Sequence, residues 1–266
     1  MRVVAILWLS SIALLTACGG GSSSSTMPPS TSGPLSGNWQ MVLTNSVTTQ
    51  FPKQFIQSGF LLQSGSSLSG NLLITGGQTC AGQGPVTGTA NQSNVAFTMN
   101  IVGQTISMTA TTAPDGSMSG NYTIMAQGCG QSQTGTWTGV QIKPLTGNFQ
   151  GTLCSVPKQN CPANPFSISG TLTQSANTGD TSAALSGTVT VTGSSCLTTA
   201  SITGAISGTA AVGNLFGTDG SQLGQFTWTL PSDANSTPSG IYSFVAHPGT
   251  PCSGGDHGTM GTVTLP

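Results

Sequence analysis

Leu35-Ser36-Gly37-Asn38-Trp39-Gln40 returns 110 residues later as Leu145-Thr146-Gly147-Asn148-Phe149-Gln150. The echo continues in order. Gly59-Phe60-Leu61-Leu62-Gln63-Ser64 answers to Gly170-Thr171-Leu172-Thr173-Gln174-Ser175, and Leu68-Ser69-Gly70 to Leu185-Ser186-Gly187. Ser119-Gly120-Asn121-Tyr122 matches Ser239-Gly240-Ile241-Tyr242, and Gly135-Thr136-Trp137 matches Gly258-Thr259-Met260. An ordered series whose offset drifts slowly is what duplication followed by loop insertion leaves behind. The chain therefore reads as two tandem units, 35–143 and 144–266, meeting with almost no linker at Lys143-Pro144.

Inside each unit the hydrophobic period is two. Ile106, Met108 and Ala110 alternate with Thr105, Ser107 and Thr109; Tyr122, Ile124 and Ala126 do the same, as do Tyr242, Phe244 and Ala246. Alternation of this kind marks antiparallel strands with one covered face. Pro114-Asp115-Gly116, Asn91-Gln92-Ser93-Asn94 and Thr218-Asp219-Gly220 separate the runs as turns. About eight strands per unit and no helix are expected, an all-β class. An up-and-down barrel and a two-sheet sandwich both accommodate that number.

Composition narrows the function. Of 266 residues only 4 are Lys or Arg and 5 are acidic, every one of them Asp. Charged residues amount to 3%, against about 25% in an average soluble protein. A nucleic-acid partner needs clustered cations to displace counterions, so none is expected. Most acid/base and metal-dependent designs lack their parts. No cofactor, metal or catalytic residue is assigned, and the chain is expected not to be an enzyme. No Gly-x-Ser-x-Gly elbow on a strand-to-helix turn is present, nor a phosphate loop. Hydrophobic residues at 36% in regular runs separate the chain from disordered ones.

The first residues carry an address. Arg2 precedes an apolar stretch from Val3 to Leu15, too short to span a bilayer. It ends in Leu15-Thr16-Ala17-Cys18, which resembles a bacterial lipobox. That resemblance implies cleavage of a 1–17 signal peptide and attachment of diacylglycerol to Cys18, with the membrane as partner through the lipid. Acyl chains contribute about 0.8 kcal/mol per buried CH₂, so two or three form a stable anchor. Residues 18–34 are rich in Gly, Ser and Pro and form a flexible tether of about 20–24 Å root-mean-square reach. Gly19 after the cysteine is compatible with sorting to the outer membrane.

Six cysteines remain, an even number suited to an oxidising compartment. The repeat aligns Cys80 and Cys129 with Cys196 and Cys252, so each pair should close its own unit. Cys154 and Cys161 have no counterpart and flank Pro157, so they should staple an inserted loop.

The densest polar cluster runs from His247 to His257 and holds both histidines and Asp256. His247, Asp256 and His257 could form a metal or acid/base site, or the segment could be a pinned surface loop; copy one carries Gln127 and Gln131 there, so folding does not need the imidazoles. Trp39, Trp137, Trp228 and the two tyrosines could line a cavity or stack on sugars, but Trp39 answers to Phe149 and Trp137 to Met260, which favours packing.

The openings Ser36-Gly37-Asn38-Trp39 and Ser119-Gly120-Asn121-Tyr122 resemble those of avidin and lipocalin barrels, the calycins. The resemblance implies an eight-stranded meander barrel, closed at one end by the Gly-x-Trp of its first strand and often holding a small apolar ligand. Two functions are thus expected in order: a non-enzymatic, lipid-anchored envelope binding or interaction module whose partner (protein, glycan or small apolar ligand) is left open, then a calycin-like carrier of a small apolar ligand.

Overall fold

The computed structural model describes residues 33–47, 53–75, 81–126, 132–232 and 237–265. The segments expected to be the signal peptide and most of the tether, with Cys18, and also Cys80 and Cys129, lie outside them. The described residues contain sixteen strands and no helix. The first eight are β1 (Gly37–Asn45), β2 (Gln54–Ser64), β3 (Ser67–Thr75), β4 (Gly82–Asn91), β5 (Asn94–Ile101), β6 (Gln104–Thr112), β7 (Met118–Ala126) and β8 (Gln133–Ile142). The second eight are β9 (Gly147–Ser155), β10 (Phe166–Gln174), β11 (Ala183–Thr192), β12 (Thr199–Ser207), β13 (Ala210–Phe216), β14 (Gln222–Thr229), β15 (Ser239–Phe244) and β16 (Asp256–Thr264).

Each set of eight closes on itself as an antiparallel meander, β1 pairing with β8 and β9 with β16. Of the two architectures the alternation left open, the closed barrel is the one formed; closure leaves no strand edge unpaired. The repeats coincide in register as well as in sequence. Trp39 lies opposite Gly59 as Phe149 lies opposite Gly170, and Tyr122 opposite Gly135 as Tyr242 lies opposite Gly258.

Alternation sorts the side chains as read. Trp39, Met41, Leu43, Met99, Ile106 and Tyr122 fill the first barrel, each almost inaccessible. The Trp39 indole N–H donates to the Leu35 carbonyl at 2.9 Å, and Leu35 N–H is held by Gln63 Oε1 at 3.0 Å. Residues 33–36 thereby seal the end of the barrel where β1 begins. The opposite end, called the mouth below, is where β1 finishes and β8 starts.

The second core places its aromatic rings on different strands from the first. Where the first barrel has Trp39, Trp137 and Phe97, the second has Phe149, Met260 and Gly213. Register places Trp228 at the position of Ala110 and Phe226 at that of Met108. Phe226 and Trp228 pack with centroids 4.7 Å apart, and Phe149 meets Trp228 edge-on at 5.4 Å.

Both barrels belong to one compact unit that spans residues 31–266. The β10–β11 loop and the β12–β13 turn of the second barrel lie on the outer face of β1–β3. Asn38 makes two hydrogen bonds there: its Nδ2 donates to the Gly208 carbonyl at 2.9 Å, and its Oδ1 accepts the Gly208 N–H at 2.8 Å. Thr209 N–H donates to Gln40 Oε1, Asn71 Nδ2 to the Gly179 carbonyl, and Phe60 N–H to the Asp180 carbonyl. Gly208 has φ of 53°, and an added Cβ would lie 2.0 Å from Gln40 Oε1, so only glycine fits. Phe60 points outward from its own barrel and packs with the hydrophobic cluster of the second.

Candidate functional site

Two disulfides brace the mouth of the second barrel, which the β9–β10, β11–β12, β13–β14 and β15–β16 loops surround. Cys196 in the β11–β12 loop bonds Cys252 in the β15–β16 loop, as the repeat predicted for copy two. Cys154 on β9 bonds Cys161, stapling the inserted loop. Such bonds belong to a protein that matures in an oxidising, extracytoplasmic compartment.

The trio His247, Asp256 and His257 does not converge. Asp256 and His257 are neighbours on β16 and face opposite sides, Asp256 buried at 3% exposure and His257 exposed. His247 sits in the β15–β16 loop, its backbone N–H bonded to the Cys252 carbonyl. Among the described residues no group of three His, Cys, Asp or Glu side chains comes together as a metal site would require.

The strand pairing assembles a different cluster around Asp256. Its Oδ1 accepts the Ser155 hydroxyl at 2.6 Å and the Tyr242 hydroxyl at 3.4 Å, all within the mouth of the second barrel. Ser155 Oγ in turn accepts the Lys158 N–H at 3.1 Å, which ties the cluster to the stapled loop. No other described residue donates to the carboxylate. Burial first, and then the charge of Asp256, hold the Tyr242 hydroxyl well above the ordinary tyrosine pKa.

The same three positions exist in the first barrel. Register aligns Ser155 with Asn45, Asp256 with Gln133 and Tyr242 with Tyr122. Asn45 Nδ2 donates to Gln133 Oε1 at 2.7 Å, a neutral version of the serine–aspartate pair. Tyr122 and Tyr242 are the only tyrosines in the chain, and they occupy one place in the two copies. Tyr122 is 2% exposed, its ring meets Phe55 edge-on at 5.7 Å, and its hydroxyl has no hydrogen-bond partner among the described residues. Burial pushes that hydroxyl up to about 12.

A second unmet polar group lies in the same barrel. Gln57 is wholly buried; its Nε2 lies 2.8 Å from Met99 Sδ and its Oε1 has no partner among the described residues. Gln57 lies on the inward face of β2, two residues further from the mouth than Phe55, the ring that Tyr122 meets edge-on. The aligned residue of the second barrel is Ile168, and Met99 aligns with Leu215. The fold is satisfied by a hydrocarbon where copy one has an amide. Sequence reasoning missed Gln57 because a lone polar residue in an alternating strand carries no sign of what it meets across the barrel.

The remaining interior is apolar. In the second barrel the free space is about 20 Å³, bordered by Phe149, Leu153, Trp228, Tyr242, Phe244 and Met260 among others. That admits about one water-sized sphere. The indoles belong to the core, as the Trp39/Phe149 exchange suggested.

No family model matches the chain, and no curated protein matches it. Among solved structures the chain is similar to kievitone hydratase from Nectria haematococca, at 12% identity over 87% of this chain and 89% of that one, with a TM-score of 0.22. The expectation that this chain is not an enzyme is corrected by that finding, because the matched protein is one. At this level of similarity the match supports no particular activity for the present chain.

Proposed function

We propose that this protein is a lipid-anchored component of the cell envelope that binds a small polar molecule in the mouth of its first barrel. The lipobox at Cys18 supports the anchor, with the outer membrane as its place, and the two disulfides agree with export.

The observation that carries the binding role is a pair of buried polar atoms inside one barrel, Tyr122 hydroxyl and Gln57 Oε1, that have no hydrogen-bond partner among the described residues. A buried polar group without a partner costs about 1–3 kcal/mol. Copy two shows that the fold accepts Ile168 in place of Gln57, so the cost serves something other than folding. A ligand that accepts from the tyrosine and donates to the amide oxygen would offset it.

The test uses the full chain purified from producing cells in a mild detergent. Native mass spectrometry should show a small molecule at one per chain, lost in Gln57→Ile and in Tyr122→Phe. A wild-type protein with no bound molecule, or retention by both variants, would overturn the binding role. Labelling with palmitate at Cys18 tests the anchor separately, and an unlabelled, uncleaved chain would remove it.

The second reading, a calycin-like carrier of a small apolar ligand, draws on the closed barrels and their hydrocarbon walls. The second barrel's free space of about 20 Å³ requires side chains to move before any such ligand enters.

A further inference from the structure

Outside the second barrel, across the outer face of β16, β9, β10 and β11, lies a concavity of about 390 Å³. That is within the range of about 300–1,000 Å³ typical of ligand sites. Its rim is formed by Gln150 and Thr152 of β9, Ser167 and Ser169 of β10, Thr192 of β11 and Thr264 of β16.

The depression has a structural origin. The β16–β9 pairing shifts register between Met260 and Val263, and such bulges bend a strand out of the regular surface. An added Cβ on Gly261 would lie 2.3 Å from Thr152 Oγ1, so glycine is what lets that hydroxyl occupy the groove wall. None of the six polar side chains hydrogen-bonds to another described residue. Nearby Thr171 and Thr188, by contrast, bond to each other at 3.0 Å. Five hydroxyls and one amide therefore remain available, spaced about 4.8 Å across the strands and about 6.8 Å along them.

We infer that this groove binds a neutral saccharide. No charged residue lines it, so phosphates, nucleic acid and ionic sugars find no counter-charge. A closed barrel presents no free strand edge, so a peptide cannot add to the sheet. Six polar side chains line the groove beside Gly151 and Ile168, so an acyl chain would strip water from hydroxyls with little hydrocarbon to meet. A molecule that is uncharged and covered in hydroxyls matches the donors and acceptors on offer. The groove lies on the barrel exterior and does not depend on the mouth of the first barrel.

The experiment titrates the full chain, held in a detergent without a sugar headgroup, with glucose, galactose, N-acetylglucosamine, maltose and cellobiose. Glucosamine and glucuronate form the charged arm. Calorimetry is run on the wild type, on Thr152→Val/Ser169→Ala, and on Gln57→Ile. At least one neutral sugar should bind the wild type, with affinity lowered about tenfold in the double variant and unchanged in Gln57→Ile. The charged analogue of that sugar should bind less tightly. Absence of binding by every neutral sugar up to about 10 mM, equal affinity in the double variant, or loss in Gln57→Ile would each overturn the assignment.

Discussion

Tyr122 and Tyr242 hold equivalent places but differ in what their hydroxyls meet. Tyr242 donates to Asp256, while Tyr122 is buried without a partner among the described residues. Removing the oxygen should therefore act in opposite directions. Tyr122→Phe is expected to be neutral or to stabilise by up to about 1 kcal/mol, whereas Tyr242→Phe should cost about 1–2 kcal/mol, since it strips a donor from a buried carboxylate. Chemical denaturation of the two variants checks this. Both hydroxyls are held above the ordinary value of about 10. Below that value the unfolded tyrosines are protonated too, and their contribution is constant. As pH rises toward the folded value of about 12 for Tyr122, the unfolded chain loses protons that the fold retains, so stability falls. With only two tyrosines in the chain, absorbance near 295 nm should stay flat through the pH at which free tyrosine ionises. A normal titration there would show that the hydroxyls reach solvent.

At the scale of strands and loops, the disulfides differ in the loop they close. Cys196–Cys252 spans 56 residues and Cys154–Cys161 spans 7. Loop entropy assigns about 4 kcal/mol to the first and about 2.5 kcal/mol to the second. Replacing Cys196 and Cys252 together by serine should lower the thermal midpoint more than the same change at Cys154 and Cys161, as calorimetry would read. The strands themselves were legible because alternation with Thr and Ser needs only local order. Two turns were legible for a local reason too: in each, an aspartate Oδ1 accepts both the N–H and the hydroxyl of a serine two residues on, Ser117 for Asp115 and Ser221 for Asp219. The ring exchange between barrels was not legible. Trp228 and Phe149 are far apart in sequence and become neighbours only when register is set.

Over the whole molecule, the barrel–barrel contact rests on Asn38, Phe60 and the Gly208 turn. Asn38 and Phe60 are 2% and 1% exposed, although both point outward from their own barrel. Asn38→Ala leaves two polar groups of Gly208 without their partner and should cost about 1–3 kcal/mol. Combined with Phe60→Ala, it should let the barrels part while each stays folded. Small-angle scattering should then report a larger radius with an unchanged β signal in circular dichroism. An unchanged radius would mean that the remaining contacts suffice.

The amino-acid sequence by itself determined the duplication, the all-β class, the strand faces and the pairing of Cys196 with Cys252, because each follows from short-range pattern or from comparison of one copy with the other. It left barrel and sandwich equivalent, since closure depends on β1 meeting β8 across a hundred residues. It could not tell Asn38 from any solvent-facing asparagine, because alternation says which side chains leave a barrel and not what covers them. Nor could it bring Ser155 and Tyr242 to Asp256, or separate Asp256 from His257. Those outcomes are set by register and by the opposite facing of adjacent residues on one strand, which exist only once the sheet has closed.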